Sequence, residues 1–151
     1  MIALIQRVSR ASVVVEGKLI GQISNGLLIF LGISANDTPI TIEWLSKKIV
    51  GLRIFSDKEG KMNLSVKDLD ADILLVSQFT LYANVKKGNR PSFSDSAPAS
   101  VAIPLYEQMI QALEEKLGKT IQTGEFGADM KIDLLNDGPV TIYIDTQQYN
   151  I

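Results

Sequence analysis

The sequence predicts an α+β fold with largely antiparallel strand pairing. Short apolar runs with strand period fill the first half and the C-terminal end. Two stretches carry helix signals instead. No repeat, low-complexity tract or linker divides the chain, so residues 1–151 are expected to form one domain.

In chain order, residues 2–8 ("IALIQRV") and 11–15 ("ASVVV") are apolar runs on either side of Ser9-Arg10. Glu16-Gly17-Lys18 turns the chain into "LIGQI". Asn25-Gly26 signals a hairpin into "LLIFLGI". A helix opens at Pro39, with Thr38 or Asp37 as N-cap, and runs to about Gly51. "RIF" reads as a strand and "SDKEGKMN" as a polar turn. "DILLVSQFTLYA", residues 72–83, reads as the longest and most central strand. Residues 84–100 form a long loop in which Lys86, Lys87 and Arg90 cluster. A second helix covers residues 100–117: Leu105, Met109, Leu113 and Leu117 step by four, and Gly118 suits its C-terminus. Pro104 either starts this helix or kinks it. "EFGADMKIDLL" and "VTIYI" close the chain as strands.

Composition removes whole classes of chemistry. At 151 residues the chain is able to bury roughly 68–70% of its unfolded surface, so its core needs no disulfide or metal. The apolar fraction of 46% and charged fraction of 21% are those of a globular protein. Neither a basic leader before an apolar run nor a stretch of membrane-span length is present, and cysteine is absent; a cytoplasmic protein is expected. Histidine is absent too. Ser-His-Asp and Cys-His machinery are thereby excluded, and neither a metal nor a cofactor is expected. A net charge of −2 argues against non-specific binding along a nucleic-acid duplex, though not against a small local contact.

The remaining candidates each have a plainer alternative. Ser77 and Thr80 offer hydroxyls, but residues three apart on a regular strand point to opposite faces, and neither has a histidine to activate it. Polar decoration of a buried strand is the simpler reading. Arg7 shares a strand face with Ala3 and Ile5, which suggests either a guanidinium fixing carbonyls or a carboxylate, or an arginine snorkelling at an edge. Glu125, Asp129 and Asp133 share one face and Phe126, Ala128, Met130 and Ile132 the other. These acids are either a hydrolytic pair or a solvated face. "KKGNRPSF" combines cations, glycine and Phe93, which suits a phosphate or terminal nucleotide, or simply solvent. "NDGPVT" is either a turn or a backbone held out for contact.

Taken together, "MIALIQRVSRASVVVEG", "RIFSDKEGKMNLSV", "VSQFTLYA", "RPSFS", "QTGEFGADM" and "NDGPVT" resemble the D-aminoacyl-tRNA deacylases, in that family's order and over essentially the full chain. The resemblance implies a homodimer with a barrel-like sheet core and two packed helices. It implies hydrolysis of the ester joining a D-amino acid, or glycine on a mismatched tRNA, to the 3′-terminal adenosine. Ser77, Gln78, Phe79 and Thr80 resemble the adenosine-binding and catalytic segment. Gly138 and Pro139 match a Gly-cis-Pro motif inserted into the partner subunit's pocket, where it excludes L-amino acids, and Arg7 resembles the residue steadying it. Phe126, Ala128 and Met130 are implied near the pocket, with Lys86 and Phe93 on the substrate side. Hydrolysis without histidine is then expected to lean on backbone donors and the ribose 2′-hydroxyl.

Overall fold

The computed structural model describes residues 1–151, and its sheet is organised by one long strand. Strand β1 (Ile2–Val15) is paired along both edges. On one edge lies β8 (Met130–Asp145), antiparallel over its whole length. On the other lie β2 (Lys18–Ile23) and β3 (Gly26–Gly32), both antiparallel to β1. The pairs Ala11–Ile23 and Val8–Gly26 keep one register, so β2 and β3 are successive parts of a single line. Asn25-Gly26 is therefore a bend within that line and not the hairpin the dipeptide predicts. The glycine answers a different need. A Cβ at Gly26 would lie 2.0 Å from the Asp72 carbonyl oxygen, where β6 (Asp72–Ser77) starts against it.

Strand β6 pairs parallel with β3, and β7 (Gln122–Thr123) pairs parallel with β6. Parallel neighbours need crossover connections, and each helix supplies one. Helix α1 (Pro39–Gly51) leads, through the hairpin β4 (Phe55–Ser56) and β5 (Met62–Leu64), from β3 to β6. Helix α2 (Ala99–Leu117) leads from β6 to β7. Thr38 is the N-cap of α1, its N–H donating to Thr41 Oγ1. Asp37, the other candidate, instead receives the Met1 ammonium and the Ser34 N–H. Helix α2 starts ahead of Pro104, which sits in its second turn. The Ser100 carbonyl thus lacks its intrahelical donor, at a residue exposed to solvent.

Two expected strands differ in extent. The run 72–83 stops at Ser77, and a 3₁₀ turn (Phe79–Tyr82) takes over, with Leu81 N–H bonded to the Gln78 carbonyl. Residues 125–129 form a turn, with Gly127 at φ +76°, before β8 begins at Met130. The alternation of exposed acids and half-buried apolar groups across residues 125–134 persists regardless.

The sheet has a buried layer on each face. Ile5, Leu27, Ile29, Leu31, Ile73 and Leu75 face both helices. Val13, Leu28, Leu74 and Val76 fill the barrel-like interior. β3 and β6 are therefore buried on both sides, which explains their continuous apolar runs. The sheet curls until Gly21 of β2 meets β7: a Cβ there would lie 2.6 Å from the Thr123 carbonyl. No helix is long and apolar enough to cross a membrane.

Gly26→Ala should be severely destabilising, by about 3 kcal/mol or more, because its neighbour is backbone and cannot rotate away. Gly51→Ala, where nothing lies within 4 Å, should instead raise stability by ~0.5 kcal/mol. Urea denaturation of the two variants checks the contrast.

Candidate active site

The end of β6 and the start of β8 enclose a cavity of about 260 Å³. Ser77, Gln78 and Phe79 wall one side, and Phe126, Ala128 and Met130 another. Residues singled out in two separate stretches of the sequence thus meet in one place. The break at Ser77 makes this possible, because the chain turns under the cavity instead of running on as a strand. The Gln78 N–H holds the Leu31 carbonyl at 2.8 Å, and the Gln78 side-chain amide donates to Thr80 Oγ1. Thr80 does not line the cavity. Leu31, Ile33, Ala97, Ala102 and Ile132 complete its apolar lining; of these the sequence marks only Ile132, on the face it shares with Phe126, Ala128 and Met130.

No side chain accepts from the Ser77 hydroxyl, and no cluster of metal-ligating side chains converges anywhere. Asp129, the one carboxylate on the cavity wall, is held by Lys131 Nζ at 2.7 and 2.9 Å. Phe79 and Thr80 open the 3₁₀ turn, so their N–H groups have no acceptor within it. The cavity has mainly apolar walls, with the unpaired Phe79 N–H on a residue that lines it, and no side-chain base poised against a hydroxyl.

Arg7 and Gly138-Pro139 lie apart from this cavity within one chain. Between the pairs Gln6–Thr141 and Val8–Asn136, Arg7 alone faces residues 137–140, so β8 throws out a bulge there. Gly138 and Pro139 stand exposed on it, and the bond between them is cis. The buried Arg7 ties the bulge down. Its Nε donates to the Asp137 carbonyl at 3.1 Å and lies 2.9 Å from the Asp137 carboxylate. Its Nη1 donates to the Ile54 carbonyl at 2.6 Å. Of the two readings of Arg7, the guanidinium fixing carbonyls and a carboxylate describes it, and "NDGP" is an exposed excursion of β8.

Phe93 packs edge-on against Phe79, with ring centroids 5.1 Å apart. Backbone bonds between Asn84 and Ser92 pinch the basic loop into a projection carrying Lys86, Lys87 and Arg90. Lys86 lines a larger open cavity of about 770 Å³, together with Leu81 and Tyr82 of the 3₁₀ turn. That second cavity also holds Tyr82, whose hydroxyl is buried without a hydrogen-bond partner.

Tyr106 supports the smaller cavity from beneath. Its ring packs on Phe126 at 5.7 Å, and its hydroxyl donates to the Leu75 carbonyl at 2.8 Å. Burial pushes its pKa well above the ordinary value of 10.0. Below that value folded and unfolded chains both keep the proton. Above it the unfolded chain releases the proton while the folded chain holds it, so stability falls as pH rises. Tyr106→Phe should flatten this alkaline loss in urea unfolding at pH 9–11, while costing about 1 kcal/mol at neutral pH for one lost hydrogen bond, since the Leu75 carbonyl keeps the Gly124 N–H at 3.1 Å.

Comparison with known proteins agrees along the whole chain. Residues 4–145 match the family described as D-Tyr-tRNA(Tyr) deacylase. The D-aminoacyl-tRNA deacylase of Flavobacterium psychrophilum is 55% identical over 147 residues, covering 97% of this chain and 98% of that protein. That of Thermotoga petrophila is 51% identical over 148 residues, covering 98% and 99%. Among solved structures, one named c-Myc DNA Unwinding Element Binding Protein superposes with a TM-score of 0.91 at 43% identity, over 96% of this chain and 98% of that one. A probable eukaryotic D-amino acid tRNA deacylase shares the fold, with a TM-score of 0.80 at 17% identity and coverage of 95% and 97%. A cavity built on "SQF", a bulge built on "NDGP", a family match over residues 4–145 and full-length identity above one half all lead to one conclusion: the chain belongs to the D-Tyr-tRNA(Tyr) deacylase family.

Proposed function

We propose that this protein hydrolyses the ester joining a D-amino acid to the 3′-terminal adenosine of tRNA, and also that of glycine carried on a non-cognate tRNA. The observation carrying this reading is a small apolar cavity bounded by the Ser77–Gln78–Phe79 backbone, with no side-chain base against a hydroxyl. An aminoacyl ester is already activated toward water. What remains is to fix its pose and to stabilise the developing oxyanion, both within reach of backbone groups. Water attacks the carbonyl carbon, oriented and deprotonated with help from the ribose 2′-hydroxyl. The ester C–O bond breaks, and the ribose 3′-oxygen leaves and takes up a proton.

Chiral selection falls to Gly138 and Pro139. Their bulge is exposed and does not reach the cavity of its own chain, and β8 has an unpaired outer edge. Both features suit a homodimer in which each bulge enters the partner's cavity. A backbone wall there discriminates by exclusion: an L side chain collides with it, whereas a D side chain or the hydrogen of glycine does not. Arg7 steadies the bulge, and Phe126, Ala128 and Met130 shape the opposite wall. Phe93 and Lys86 lie along the entry path of the RNA end. A tRNA substrate implies a cytoplasmic enzyme. DNA binding, named for one structural relative, finds little support here in a net charge of −2.

With one amino acid on one tRNA, the D ester should be cleaved and the L ester spared; equal rates would refute the chiral role. Replacing the terminal adenosine by its 2′-deoxy analogue, charged on the 3′-hydroxyl, should preserve binding but slow cleavage ~10²–10⁴-fold. Single-turnover kinetics separates the two effects.

The basic loop should act on encounter. Charge reversal at Lys86 and Lys87 should raise KM and flatten its dependence on salt, with little change in kcat. Steady-state kinetics over a salt series reads both quantities.

A further inference from the structure

Asn136 occupies the throat of the β8 bulge. Its Nδ2 donates to the Arg7 carbonyl at 3.2 Å and to the Val140 carbonyl at 3.1 Å. Both protons of the amide are thereby used, one on β1 and one where the bulge rejoins the sheet. Its Oδ1 faces inward across the loop. A Cβ built on Gly138 would lie 2.5 Å from that oxygen, and the three nearest atoms it would meet all belong to Asn136.

The end of a side chain usually swings away from such a contact at little cost. Here it does not, because rotating the amide gives up both hydrogen bonds and strands two carbonyls. The loop is thus held from outside by Arg7, through the Asp137 and Ile54 carbonyls, and from inside by Asn136.

We propose that Asn136 is a positioning residue: its amide sets how far Gly138 and Pro139 stand out from the sheet. Glycine at 138 is required first by Asn136 of the same chain, before any ligand or partner is considered. The consequence for chiral selection rests on the deacylase reading above. A bulge free to slide leaves room for an L side chain that a fixed one rejects.

A double-mutant cycle on the full-length protein tests the clamp. In thermal unfolding, Gly138→Ala should lower the midpoint markedly in the natural background and much less beside Asn136→Ala. If Asn136→Ala does not fold, Asn136→Ser takes its place in the cycle. Equal shifts in the two backgrounds would overturn the clamp, whether or not the protein proves to be a deacylase. Asn136→Asp, which keeps the size but loses both donors, gives the functional readout. The ratio of D- to L-ester cleavage should drop about tenfold. A merely structural role would lower both rates together, and an unchanged ratio in a folded variant would overturn the positioning role. If the unmodified protein itself shows no chiral preference, the chiral role fails instead, and the melting cycle alone decides the clamp.

Discussion

One buried guanidinium holds together three segments that are remote in sequence. Arg7 sits in the middle of β1, on the face that looks toward the helices, and directs its donors to Ile54 before β4 and to Asp137 in the bulge of β8. A planar fork with fixed directions suits this task; a lysine in the same place would offer a mobile point charge. The Asp137 carboxylate is half exposed, so its Coulombic share is screened. The bonds to two carbonyls carry the weight, since a carbonyl left unpaired beside a buried arginine would cost more than the ion pair contributes. From that anchor follows the excursion of β8, and from the excursion the exposure of Gly138 and Pro139.

Legibility in the sequence tracks how local the deciding force is. Helix α1 begins at the proline that announces it, because Thr38 and Pro39 act within a few residues of themselves. Asn25-Gly26 misleads because its glycine serves a long-range contact with Asp72, far along the chain, and not the turn that the dipeptide favours. "DILLVSQFTLYA" reads as one strand because apolar period alone does not mark where a partner strand ends. β3 stops at Gly32, and the ladder with β6 stops at Leu31–Ser77. Beyond that point the apolar residues of 79–82 have no edge to pair with and close into a 3₁₀ turn.

The same break decides how much of the candidate site is legible. On an unbroken strand, Ser77 and Thr80 would face opposite ways and "SQFT" would be decoration. With the strand ended at Ser77, residues 77–79 wrap one cavity and Thr80 is tied back through the Gln78 amide. Simple alternation puts Phe126, Ala128 and Met130 on a common face, and that face is the opposite wall. Ala97, Ala102 and Ile33 give no signal, since small and aliphatic residues lining a pocket are indistinguishable in sequence from those lining a core.

Selection by exclusion, as proposed above, requires a fixed shape, and the β8 bulge has one. Side chains are poor walls, because rotamers yield when a larger ligand presses on them. Backbone yields far less once its ends are fixed. Here the β8 loop is fixed at both ends by the strand ladder with β1, across its throat by Asn136 and at its shoulder by Arg7. The exposed edge of β8 would otherwise be a liability, open to any passing strand. Placing the bulge in that edge breaks the regular ladder a second strand would need, and presents in its place a short backbone projection whose position is set almost entirely from within its own chain.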